Sequence, residues 1–207
     1  MGQYRLIDLL DDQQPKNINW HFKHYPDENH NSVAMISFRH SLKSMFSCWY
    51  IDEKTLHTKS EPMKIVNQYQ TCLHQLNTKQ VIPTPSINAA VRYFYFHKQE
   101  QDIAQFLKLV KEKLPSSESA FLMMFASYAG HFDSPQSQLA LLLKHADRFK
   151  SSIEYIKAIA VAYEKVGARD NALNSYQQAH DLAKAQQANQ WQLNIINAKI
   201  SALKALH

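Results

Sequence analysis

The sequence predicts a mainly α-helical protein built of stacked helical hairpins, with a small antiparallel β-element towards its N-terminus. Three observations predict it. From residue 84 onward, apolar side chains recur at i, i+3, i+4 and i+7, the period of a helix with one buried face. The 207 residues include only 3 glycines while 45% are hydrophobic, a composition suited to packed helices. Between residues 32 and 59, two short runs rich in β-branched and aromatic types read as strands instead.

The most regular stretch is Ile153 to Lys184. In its first half, Ile156, Ile159, Ala160 and Tyr163 form one apolar stripe. Gly167 is placed to end that helix in a left-handed conformation, which costs glycine nothing sterically. In the second half, Ala172, Leu173, Tyr176, Ala179 and Leu182 repeat the stripe. Ala160, Ala172 and Ala179 have too little side chain to hold two helices apart. The backbones are therefore expected to pack closely, with Tyr163 and Tyr176 filling the remaining volume.

This set resembles the tetratricopeptide repeat (TPR), a helical hairpin of about 34 residues with a large–small–aromatic, then Ala–aromatic–Ala pattern. The matching residues are Ile156, Ile159, Ala160, Tyr163, Gly167, Ala172, Tyr176, Ala179 and Leu182. Ile156 stands where the family often has Trp, and Lys184 where it often has Pro. One repeat earlier, Met123, Ser127, Leu143, Ala146 and Phe149 occupy the corresponding positions, with Leu139 a poorer fit for Ala172. Pro85 to Leu114 keeps Ile103, Phe106, Leu107, Val110 and Leu114 at helical spacing, but its small positions do not match. It reads as a degenerate repeat. Trp191, Leu193, Ile196, Ile200 and Leu203 form a last amphipathic helix where repeat arrays carry a cap. The resemblance implies a TPR-like α-solenoid over residues 84–207, of about three hairpins plus a capping helix.

Upstream, residues 1–31 read as a partly flexible lead-in, with Tyr4 to Leu10 a helical turn or a strand and Pro15 breaking the polar run after it. Residues 32–78 read as a small meander plus a covering helix. Ser32 to Phe38 and Met45 to Ile51 are its expected strands, Asp52 to Lys54 a turn, and Thr55 to Thr58 a third strand. The helix Met63 to Leu76 would cover the sheet with Ile65, Tyr69, Cys72, Leu73 and Leu76. Asn77 to Pro85 is the expected connector to the helical repeats.

Several function classes are set aside. No run of 18 apolar residues exists, so no membrane span is expected. The start, MGQYRLIDLLDD, lacks the basic and apolar regions of a signal peptide, and Leu6 breaks the myristoylation pattern. Cys48 and Cys72 read as reduced, buried thiols. A cytoplasmic location is expected, with the periplasm, and a disulfide, as the alternative if the chain is a mature fragment. The net charge is +5, but the basic residues are scattered. The densest cluster, Lys108, Lys111 and Lys113, shares a helix with Glu112. Nucleic acid is therefore not the expected partner, and a nucleic-acid-associated regulator stands as an alternative. A hydrolase or metal enzyme using N-terminal His and Cys residues is the other. His21, His24, Asp27 and His30 have metal-like spacing, but Pro26 disfavours a helix there and no further ligands complete a set. Cys48 or Ser47 with His40 or His57 lacks any nucleophile elbow. Gly2, Gly130 and Gly167 are too few and too scattered for a phosphate loop. No catalytic residue, metal or cofactor is expected.

The run Arg92-Tyr93-Phe94-Tyr95-Phe96-His97 is more informative. On a helix its four aromatics spread round most of the circumference, so one face cannot hide them all. The resemblance implies that the first helix of each hairpin lines a concave groove. That groove would hold Arg92 and Tyr95, then Phe121, Met124, Tyr128 and His131, then Glu154, Lys157, Val161 and Glu164. Aromatic, Met and Arg side chains are those that binding hot spots favour; the alternative packs Phe121 and Met124 into the core. Ala158 and Val161 stand where carboxylate-clamping members of the family carry polar residues. The groove therefore suits a helical or extended apolar segment of a protein partner. The expected function is a non-catalytic adaptor or accessory subunit of a larger bacterial assembly, in secretion, pilus or regulatory machinery, with its oligomeric state open.

Overall fold

The computed structural model describes residues 2–15, 20, 22–51, 56, 61–78 and 82–205. It is mainly helical, and the chain divides into two compact units, Met1–Tyr50 and Ile51–His207.

The first unit holds α1 (Gly2–Gln13), α2 (Val33–Phe46) and a 3-10 turn at Ser47–Trp49. The β-meander is corrected: the described residues contain no strand, and α2 runs through the first expected strand into the second. The reason is periodic. Met35, Phe38, Leu42 and Met45 fall at i, i+3, i+7 and i+10, a helical stripe that intervening polar residues cut into two short runs along the sequence. The serines do not break the helix, because their hydroxyls bond back into it. Ser37 Oγ donates to the Ala34 carbonyl at 3.0 Å and Ser41 Oγ to the Ser37 carbonyl at 2.9 Å. Before α2, the Asn29 carboxamide oxygen accepts the backbone N–H groups of Asn31 and Ser32 and turns the chain. The Tyr25 hydroxyl lies 2.7 Å from His40 Nδ1, with the two rings stacked. His21, His57 and, apart from Leu56, the expected turn and third strand lie outside the described residues. Cys48 and Cys72 are both disulfide-bonded, which corrects the expectation of reduced thiols.

The second unit contains α3 (Pro62–Gln75), α4 (Thr84–His97), α5 (Glu100–Lys113), α6 (Glu118–Phe132), α7 (Pro135–Lys144), α8 (Ile153–Lys165), α9 (Arg169–Ala185) and α10 (Gln190–Ala205). Their ends follow from sequence chemistry. Proline opens α3, α4 and α7, where the missing N–H costs nothing. Ser134 Oγ caps α7 through the Ser137 N–H at 3.0 Å, and Ser152 Oγ caps α8 through the Tyr155 N–H at 3.3 Å. At the end of α8, Gly167 has φ +75°, and the Ala168 and Gly167 N–H groups close onto the Tyr163 and Glu164 carbonyls. That pair of bonds is a Schellman ending, and it is why glycine stands there.

Each helix from α5 to α10 packs on its predecessor, and α4 also lies against α6, as α3 does against α5. The expected small-residue seam forms: Ala160, Ala172 and Ala179 are fully buried between α8 and α9, with Ile156, Tyr176 and Ala183 beside them and Ile196 and Leu203 closing from α10. A second cluster joins Leu122, Ala126, Leu142, Tyr155, Ile159 and Ala162. An aromatic cluster fills the N-terminal half of this unit. Phe94 stacks on Phe106 at 4.2 Å, and Phe106 meets Phe121 edge-on at 5.4 Å. Polar ties pin the layers: Tyr69 donates to the Ser86 carbonyl at 2.7 Å, Tyr155 to the Leu142 carbonyl at 3.1 Å, and Arg148 to Glu118. Gly130 faces the buried Gln138 so closely that a Cβ there would lie 2.8 Å from the Gln138 Cβ.

Candidate partner-binding surface

Helices α4 and α6 lie side by side, and their facing residues are spaced one turn apart. Arg92 and Phe96 come from α4; Ser127 and His131, then Tyr128 and Phe132, come from α6. Together these six line a cavity of about 550 Å³, within the range of roughly 300–1,000 Å³ typical of ligand-sized clefts. Its walls are preformed. Phe96 meets Phe132 edge-on at 4.8 Å, Tyr128 lies 5.7 Å from Phe132, and His131 stands edge-on to Phe132 at 4.6 Å. The Tyr128 hydroxyl donates to Asn88 Oδ1 at 2.9 Å, which fixes the ring across the two helices. Phe96 and Phe132 are nonetheless half-exposed, at 48% and 53%.

Behind this wall, Tyr95 packs on Tyr128 at 5.6 Å and on Phe132 at 6.1 Å. Its hydroxyl is shut off from solvent and makes no hydrogen bond among the described residues. The Asp133 carboxylate acts on it. Burial first, and Asp133 second, push the Tyr95 phenol up to about 12. Arg92 is exposed and makes no hydrogen bond or ion pair among the described residues. The cavity thus offers aromatic faces, one guanidinium and an imidazole, and its lining holds no carboxylate.

Of the residues expected to form a groove, Arg92, Tyr128 and His131 meet at the cavity, with Tyr95 supporting them. Met124, half-buried, lies one turn before Tyr128. Phe121 does not join them: it is fully buried against Tyr69 and Phe106. On α8, Lys157 pairs with Glu154 at 3.0 Å, while Glu164 takes the Tyr176 hydroxyl and Lys199. Val161 is exposed on the same helix. None of these four lines the cavity. Phe96, Ser127 and Phe132 are not among the residues the sequence assigns to a groove, although the signal is present. Each lies three or four residues from one that is, Phe96 from Arg92, Ser127 from Met124 and His131, and Phe132 from Tyr128, and so on the same helix face.

Among the described residues, no group of three or more His, Cys, Asp or Glu is arranged to hold a metal ion, and no helix is long and apolar enough to cross a membrane. Compared with protein families, characterised proteins and solved structures, the chain matches none.

The buried tyrosines set an alkaline limit on the fold. Tyr155, like Tyr95, is pushed up to about 12, chiefly by burial, with Arg148 lowering and Glu118 raising it to lesser degrees. A phenol whose folded pKa is raised binds its proton more tightly in the native state. Its stabilising contribution is complete below the unfolded value of about 10 and disappears as pH rises towards 12. An alkaline titration followed by phenolate absorbance should therefore show a late class of tyrosines, and chemical denaturation should show stability falling over that same window. Titration of every tyrosine together near pH 10 would contradict the packing described.

Proposed function

We propose that this chain is a non-catalytic adaptor whose helical pairs over residues 84–207 stack as a TPR-like solenoid and hold an apolar segment of a protein partner. The observation that carries this reading is the preformed aromatic cavity between α4 and α6, open to solvent and rimmed by Arg92 and His131. Exposed aromatic and arginine side chains around a fixed concavity are the composition of interface hot spots. A groove whose rings already contact one another loses little freedom on binding, so more of the burial energy appears as affinity. The buried alanine seam of α8 and α9 supports the repeat reading, because it lets two helices approach closely in the way the hairpin pattern requires. An accessory role in a larger bacterial assembly follows from this type of scaffold. The disulfide-bonded state of Cys48 and Cys72 supports an oxidising compartment such as the periplasm over the cytoplasm.

The test is the pair Tyr128→Ala and Met124→Ala. Both side chains are half-buried and neither lies in the core clusters' buried set. Affinity capture from the native host is expected to lose its specific partner, while helical circular dichroism and thermal unfolding remain close to wild type. Unfolding of the double variant would show that these residues serve the core and would remove the adaptor reading.

A further inference from the structure

The first unit carries a second surface, independent of the cavity. Helix α2 buries none of its residues. Along it, Met35, Phe38, Leu42 and Met45 repeat at spacings of three, four and three, the narrow seam by which one helix packs on another. All four are exposed, Met35 at 81% and Phe38 at 66%. Every charge on α2 is positive: Arg39 and Lys43, with His40 between them and no carboxylate. Helix α1 is its complement. Leu6, Leu9 and Leu10 share one face, Leu6 and Leu9 exposed, and Asp8, Asp11 and Asp12 outnumber Arg5.

Charge selects among the ways of covering these faces. Two α2 helices brought together would oppose Arg39 and Lys43 with their own copies. Two α1 helices would do the same with three aspartates each. An α1 on an α2 pairs a helix of net −2 with one of net +2 while burying both apolar faces, and within one chain these two helices do not pack on each other. We propose that α2 docks helix α1 of a second copy of this chain, reciprocally, so that two such contacts close a two-fold dimer. Reciprocal exchange uses the same surface on each copy and leaves no open end for further growth.

The experiment is sedimentation equilibrium of the full chain with exposed charges reversed. Wild type is expected to sediment at twice the 24.0 kDa mass of one chain. Arg39→Glu with Lys43→Glu should weaken self-association by about tenfold or more, since like charges would then face each other. Asp8→Lys, Asp11→Lys and Asp12→Lys together should do the same. Combining the two sets should restore the dimer, which no merely structural damage would allow. Four results would overturn the proposal: a wild-type monomer at every concentration reached, a dimer indifferent to both reversals, no restoration in the combined variant, or a monomer whose α2 instead binds vesicles of anionic phospholipid.

Discussion

Phe106→Ala is expected to lower the unfolding free energy by about 3–5 kcal/mol, the usual range for emptying a buried phenylalanine site. Phe106 is fully buried at the centre of the aromatic cluster, stacked on Phe94 and edge-on to Phe121 and Phe125. Its partners come from two other helices, α4 and α6, so no single helix is free to shift and close the gap. Truncation removes both the transferred apolar surface and the ring–ring contacts, the latter about 0.5–1.5 kcal/mol per pair. Against a total stability of roughly 5–15 kcal/mol, that is a large fraction. Denaturant unfolding monitored by circular dichroism measures it. A loss below about 1 kcal/mol would mean the cluster is not packed as described.

Arg148→Ala is expected to cost about 2–3 kcal/mol, by a different route. Glu118, the first residue of α6, is almost wholly enclosed, and its carboxylate is held by the Arg148 guanidinium. Removing the arginine leaves a carboxylate in a poorly solvated place, with only the N-terminal end of α6 to offset it. Arg148 itself is partly exposed, which keeps the loss below that of a fully buried pair. The double change Glu118→Gln with Arg148→Met is expected to recover most of the stability, because neither partner is then left charged and alone. A second readout is His145. Burial first and Arg148 next hold its imidazole below the usual histidine value, so Arg148→Ala should raise it, an effect visible by NMR titration. Equal stability of the single and double variants would argue that the pair is solvated.

The helical half of the chain was legible in sequence because its signals are local. Stripes at 3.6-residue spacing and Gly167 after α8 each state a face or an ending without reference to distant residues. The buried alanines followed because only small side chains suit a close helix pair. The first unit was misread for the same reason in reverse. The α2 stripe is split by Arg39, His40 and Ser41, and each half alone has strand-like composition. Phe121 shows a further limit. Its type and place on α6 fit a groove as well as a core, and only its neighbours Tyr69 and Phe106, distant in sequence, decide between them. The cavity was half-read: Arg92, Tyr128 and His131 stood out by type, whereas Phe96 and Phe132 join through the pairing of α4 with α6. The bonding of Cys48 and Cys72 left no trace in spacing.

The missing side chain at residue 130 has a reach beyond its own helix. Gln138 fits against bare backbone there, and its amide oxygen takes the ammonium of Lys165 at the end of α8, 2.9 Å away. The absence of a Cβ on α6 thereby sets where Gln138 sits and, through it, a polar tie between α7 and the end of α8. Bulk introduced at that point would displace Gln138 and break that tie, two helices away from the substitution.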